Sequence, residues 1–176
     1  MRYKRMVGEK VYLTALIPDD AETITRWFNN PDVTQYLAIH NEIKSLETVK
    51  EDVERHIKTG AAFSIFCKET DIHIGFIVLD DENLEIFIGE IEYRSKGHDR
   101  EAISFLLDYG FNLKNCNIIY IRGYSHDSAS IVLYEEMGFK KALVMRERLI
   151  RGRDKYDEIY FDMLASEYFR KEQDNA

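Results

Sequence analysis

The stretch Glu90-Ile-Glu-Tyr-Arg-Ser-Lys-Gly-His-Asp-Arg-Glu-Ala-Ile103 decides how the rest of the chain is read. Ahead of it, residues 84–89 form an apolar run with strand character, and behind it Ile103, Leu106, Leu107 and Phe111 fall on one face of a helix. The local order is therefore strand, charged glycine-containing turn, helix. Such a turn aims backbone N–H groups and the positive end of the helix dipole at one point, which suits an anion. Arg94, Lys96 and Arg100 crowd the same few residues, so the anion expected is phosphate.

Working outward, residues 10–16 alternate in the strand manner, and Pro18-Asp19-Asp20 opens a helix with Asp19 and Glu22 at the spacing of an acidic capping box. Ala21, Ile24, Trp27 and Phe28 form its apolar stripe, and Asn29-Asn30-Pro31 stops it. A short helical turn is expected over 33–37. Ser45 then precedes Leu46, Val49, Val53 and Ile57 at helical spacing, closed by Gly60. Residues 62–68 and 72–79 read as strands joined by a tight turn, and 80–83 turn into the strand from Leu84; connections this short make antiparallel neighbours. After a helix ending near Asn115, a strand over 118–123 completes a parallel crossover. Asp127 starts a further helix through Ile131, Leu133, Tyr134 and Met137, which Gly138 ends, and residues 142–150 and 156–164 flank a closing hairpin at Arg151-Gly-Arg-Asp154. This order predicts an α/β (α+β) protein with one mixed, mainly antiparallel twisted sheet and helices on both faces, residues 1–176 forming a single domain.

With 45% hydrophobic and 32% charged residues, the chain has the composition of a globular domain rather than a disordered one. No apolar run reaches the ~18 residues of a membrane helix, and the start Met1-Arg-Tyr-Lys-Arg5 leads into no signal-peptide core, so a cytoplasmic protein without a membrane partner is expected. Thirty-two acidic against 24 basic side chains, a net charge of −8, argue against nucleic acid as a ligand and suit attraction of a cationic amine. Cys67 and Cys116 have no CxxC spacing and read as buried thiols, while His40, His56, His73, His98 and His126 share no metal-ligand spacing, so no metal is expected.

At the quoted residues the chain resembles the GNAT superfamily of acetyl-CoA-dependent N-acyltransferases, in the branch containing ribosomal-protein N-terminal and polyamine acetyltransferases. The family's pyrophosphate loop reads Gln/Arg-x-x-Gly-x-Gly/Ala; Arg94-Ser-Lys-Gly97-His-Asp99 meets the first two landmarks and carries Asp99 at the third. A second family landmark, an Asn followed by Tyr and then Gly-Phe, corresponds to Asp127, Tyr134 and Gly138-Phe139. The resemblance runs from Gly8 to about Phe169.

The resemblance implies acetyl-CoA as co-substrate, bound by Phe87, Ile88 and Gly89, by Arg94, Ser95, Lys96, Gly97, His98, Asp99 and Arg100, and by Asp127, Ser130 and Tyr134. Its pantetheine would insert between splaying strands over 84–90 and 118–124. Tyr134 takes the place of the general acid: a tyrosine of pKa about 10 can protonate a departing thiolate of pKa about 8.5. A backbone N–H within 87–89 is the expected oxyanion donor, and Glu85 or Glu90, on the strand lining the amine site, the expected base. The acceptor implied is a small amine or a peptide N-terminus, with Asn29, Asp32, Tyr36, His40 and Glu42 in the segment that builds its site.

Two substitutions within these motifs keep a second reading open. Asp99 is a good helix N-cap and sets a negative charge beside phosphate, costing roughly 3 kcal/mol at about 5 Å and an effective dielectric of ~20. Asp127 offers only acceptors where Asn offers a donor as well. The chain is thus read either as an N-acetyltransferase working by direct amine attack or as a catalytically impaired GNAT-fold binding or regulatory module with a degenerate CoA site. Arg146, Arg148, Arg151 and Arg153 mark an edge that discourages strand pairing or meets an acidic partner, and the aromatic run over 156–161 suits an edge-strand contact in a homodimer.

Overall fold

The computed structural model describes residues 2–174; residues 1, 175 and 176, the ends of the expected 1–176 domain, lie outside the described residues. The chain divides into two compact units, Met1–Asp81 with Glu85–Leu106 and Glu82–Leu84 with Leu107–Ala176.

The first unit begins with β1 (Lys4–Val7) and β2 (Val11–Ala15), followed by a 3-10 turn at Pro18–Asp20, α1 (Ala21–Phe28), α2 (Pro31–Thr34) and α3 (Leu46–Thr59). It continues with β3 (Ala61–Cys67), β4 (His73–Asp80), most of β5 (Asn83–Ile88) and most of α4 (His98–Asp108). Strands β1 to β4 pair antiparallel in sequence order, with Tyr12 opposite Phe66 and Phe63 opposite Ile77. Ala21, Ile24 and Trp27 of α1 and Val49 and Val53 of α3 bury the stripes read from the sequence against Phe76, Val78 and Phe87. Ser45 caps α3 by accepting the Thr48 N–H at 3.1 Å, as its position predicts.

The helix-opening carboxylate is Asp20, not Asp19. It accepts the Ile17 N–H at 3.1 Å and the Ser64 hydroxyl at 2.7 Å, and its side chain, 3% exposed, receives both terminal nitrogens of Arg2. His73 Nδ1 lies 3.7 Å away. Burial by itself would raise the Asp20 pKa, but the hydrogen bonds from Arg2, Ser64 and Ile17 outweigh it and hold the carboxyl below its ordinary range. Burial pushes His73 below its ordinary value against the opposing pull of Asp20.

The second unit contains β6 (Ile118–Tyr124), α5 (Ser128–Met137), β7 (Lys140–Arg151), β8 (Asp154–Leu164) and α6 (Ala165–Asp174). The predicted parallel crossover is present: Asn83 and Leu84 of β5 stand opposite Tyr120 and Ile121 of β6. Strand order is β1-β2-β3-β4-β5-β6-β8-β7, so the sheet is mixed and mainly antiparallel, as expected. β8 lies between β6 and β7, which overturns the reading of 156–161 as an edge: from Glu158 to Phe161 the run is paired on both sides. The edge is β7, with Leu143, Val144, Met145 and Ile150 exposed.

Other differences are local. The helix expected to reach Asn115 leaves α geometry after Asp108, passes through a π-helical turn at Tyr109–Leu113, and ends where Asn115 takes φ 55°. Neither β1 nor α6 was expected. Both cysteines are free thiols; Cys67 is buried as expected, whereas Cys116 is only partly so.

Candidate active site

In the first unit, the turn between β5 and α4 has Ser95 at φ 54° and Gly97 at φ 85°, two left-handed positions on either side of Lys96. Successive amides in such a run turn toward one concavity, a shape that takes anions. Helix α4 starts at His98, so Asp99 lies inside the first turn rather than ahead of it, and its carboxylate accepts its neighbour's N–H, that of Arg100, at 2.9 Å. Asp99 therefore settles on its own helix, where the dipole favours a negative charge.

Arg94 is not one of a crowd of phosphate-facing cations. Its Nε and Nη2 donate to the Ile88 carbonyl at 3.0 and 2.8 Å, and Nη2 also donates to the Val33 carbonyl at 2.7 Å, riveting the loop to β5 and α2. Lys96 is exposed. His98, one of the residues the resemblance assigns to the cofactor, is 9% exposed; its Nδ1 lies 3.1 Å from the Tyr93 carbonyl, which requires the proton on Nδ1, and its ring meets Tyr93 edge-on. His98 braces the loop from within.

Glu101, one residue beyond the quoted cations, was not singled out by the sequence. Its carboxylate accepts the backbone N–H groups of Glu9, Lys10 and Val11 at 2.8, 2.9 and 2.7 Å, and a Cβ on Gly8 would collide with it. Lys10 Nζ in turn donates to the Lys96 carbonyl at 2.7 Å, tying the β1–β2 turn to the phosphate loop. Glu101→Ala leaves three amides without their acceptor, so unfolding free energy measured in urea is expected to fall by about 2 kcal/mol, with Glu101→Gln recovering part of it.

At the end of β5, the Gly89 N–H donates to the Ile74 carbonyl at 2.8 Å and the Glu90 N–H to the same oxygen at 3.2 Å. Of the three expected oxyanion donors, the Gly89 amide is thus engaged with β4, and strand alternation turns the Ile88 amide to the opposite edge. Phe87 and Ile88 bury their side chains. Glu90 is held at one oxygen, Oε1, by Arg26 Nη2 at 2.7 Å and by the Trp27 indole N–H at 2.9 Å. Glu85 is exposed and faces His56 of α3 at 4.0 Å, apart from that pair. Asn29 and His40, placed in the acceptor segment, brace the chain locally: Asn29 bonds the backbone of Thr25 and Lys44, and His40 Nδ1 lies 3.3 Å from the Thr34 hydroxyl.

In the second unit, Asp127 caps α5 as expected, accepting the Ser130 N–H at 3.2 Å and the Ser130 hydroxyl at 2.6 Å. Tyr134 is 6% exposed, its ring edge-on to Phe161 at 5.7 Å and Phe139 at 6.2 Å. Gly123 of β6 faces the ring, where a Cβ would stand 3.5 Å away in ordinary van der Waals contact. Gly138 ends the helix at φ 99°. The site residues of 85–100 thus belong to the first unit, and Asp127, Ser130 and Tyr134 to the second. Among the described residues no group of three or more His, Cys, Asp or Glu side chains is placed to hold a metal, and no helix is long and apolar enough to cross a membrane.

Comparison with known proteins finds that residues 10–140 match the model of the acetyltransferase (GNAT) domain family. The N-acetyltransferase p20 of Bacillus licheniformis is 29% identical over 171 residues, covering 91% of this chain and 96% of that protein. A spermidine N(1)-acetyltransferase of Vibrio cholerae is 25% identical, covering 95% of this chain and 100% of the relative. Among solved structures, spermidine N-acetyltransferase from Vibrio cholerae in complex with CoA and spermine superposes with a TM-score of 0.79 at 24% identity, covering 92% of this chain and 99% of that one. A GNAT-family acetyltransferase from Bacillus anthracis gives 0.74 at 20% identity, with 92% and 98% covered.

Proposed function

We propose how acetyl transfer is carried out by this chain, which belongs to the GNAT acetyltransferase family and is an acetyl-CoA-dependent N-acetyltransferase. The acceptor we assign is a small aliphatic amine of the polyamine class, attacked directly without a covalent enzyme intermediate. The observation that carries this reading is Glu90, a carboxylate held by two donors at the end of the strand that leads into the phosphate loop. The net charge of −8 and the spermidine-acetylating relative support a cationic acceptor.

The residues present fit the co-substrate. Left-handed Ser95 and Gly97 and the first turn of α4 offer amides to a diphosphate, and exposed Lys96 adds positive charge. The charges of Asp99 and Asp127 are both committed locally, to the Arg100 amide and to the α5 cap, which favours an active cofactor site over the degenerate module. When bound, acetyl-CoA supplies the acyl group as a thioester whose sulfur departs as the thiol. The Ile88 N–H, on the edge of β5 turned away from β4, donates to the acyl oxygen as charge develops there. Glu90 takes the proton released by the acceptor nitrogen as the N–C bond forms, and the Tyr134 hydroxyl gives its proton to the sulfur as the C–S bond breaks.

Calorimetric titration and a thiol-release assay test this in sequence. Acetyl-CoA is expected to bind with a micromolar Kd, and thiol release is expected to rise with added spermidine and to weaken with salt as the amine is screened. No heat at millimolar acetyl-CoA would favour the impaired module. Binding without release, across polyamines and peptide N-termini alike, would overturn the assigned acceptor.

A further inference from the structure

We infer that Trp27 is a positioning residue for the reaction, aiming the Glu90 carboxylate through its indole N–H; this rests on the reading of Glu90 as proton acceptor. Trp27 lies on the apolar stripe of α1 and is 2% exposed, a placement that packing alone would explain. Its polar atom says more. A buried indole N–H needs an acceptor, and among the described residues it finds one carboxylate oxygen, Glu90 Oε1 at 2.9 Å.

The ring has little freedom to redirect that N–H. His73 meets it edge-on at 5.0 Å, Phe87 lies tilted against it at 6.0 Å, and Gly89 lies against the face of the indole at its ring fusion, where any Cβ would collide with the ring. Gly89 therefore serves two neighbours at once: its amide holds β4, and its missing side chain admits the indole beside the residue the indole orients. Arg26 reaches the same oxygen from a side chain 67% exposed, so its pull is screened and its long stem sets no fixed direction. Arg26 supplies charge and Trp27 supplies direction. Because both donors converge on Oε1, the oxygen left to take the acceptor's proton is Oε2.

Trp27 is the chain's single tryptophan, so intrinsic emission reports this contact directly. Trp27→Phe keeps the apolar body and removes the N–H. It is expected to lower kcat about tenfold, leave the KM for acetyl-CoA unchanged, and have no further effect in a Glu90→Gln background. In the otherwise native protein, Glu90→Gln is expected to shift the tryptophan emission, and spermidine is expected to perturb emission saturably in wild type and not in Glu90→Gln. An equal loss on Trp27→Phe in both backgrounds, or emission indifferent to Glu90→Gln, would overturn the inference. The emission arm holds even if Trp27→Phe fails to fold. Wild-type turnover in Glu90→Gln would instead remove Glu90 as proton acceptor, and the catalytic role of Trp27 with it.

Discussion

Tyr134→Phe is expected to lower kcat for thiol release by two to three decades, within the ~10²–10⁴-fold range that general acid catalysis supplies. The ring is expected to stay where it is, because Phe139 and Phe161 pack edge-on against it. Phenylalanine fills the same space, so the melting temperature should move by no more than the ~1 kcal/mol of one hydrogen bond implies. A steady-state assay with a chromogenic thiol reagent, run beside a thermal melt, separates the two quantities. Turnover within about threefold of wild type would show that another group or water protonates the sulfur, since so small a change is under 1 kcal/mol of barrier.

The largest effect on stability is expected at Asp20. Asp20→Ala removes the acceptor for Arg2, Ser64 and the Ile17 amide together, and leaves a guanidinium only 30% exposed without its counter-ion. Breaking one side of a buried pair costs about 3–5 kcal/mol, a large part of the ~5–15 kcal/mol that holds a typical domain. Asp20→Asn keeps an acceptor for Ser64 and Ile17 and should cost less. The same cluster sets an acid limit. Asp20 and His73 both have folded-state pKa values below their ordinary ones, so each contributes stability that is complete above its unfolded pKa and is lost as pH falls. Urea denaturation is expected to show unfolding free energy declining first below about pH 6.5, where His73 is protonated more readily in the unfolded chain, and again below about pH 4, where Asp20 follows. His56, pushed down by burial as well, adds to the first decline, so His73→Gln should remove only its share. A flat profile between pH 7 and 5 would refute the assignment.

What the sequence made legible is what is decided within a few residues. Ser45, Asp127 and Gly138 mark helix ends because a cap is satisfied by amides two to four positions away, and β3, β4 and β6 show through because each strand carries its own apolar run. Most of the misses depend on remote partners. Asp19 and Asp20 are equivalent as letters, and Arg2 and Ser64, distant in sequence, make Asp20 the buried one. Arg94 sits beside a glycine turn as a phosphate ligand would, but the carbonyls of Val33 and Ile88 claim its guanidinium. β1 is four residues long and three of them are exposed, so it has no periodicity to detect, and the polar α6 anchors partly through Tyr168 stacked on Phe111. For Trp27 there was a signal: an indole on an apolar stripe always raises the question of where its N–H goes.

The Arg94 rivet makes the cofactor loop and α2 a single communicating element. Its backbone opens the loop while its guanidinium ends on the Val33 carbonyl, so rearrangement of either is felt by the other. Thermodynamic reciprocity then applies: if ordering the loop by one ligand firms α2 for a second, the second must tighten the first by the same factor.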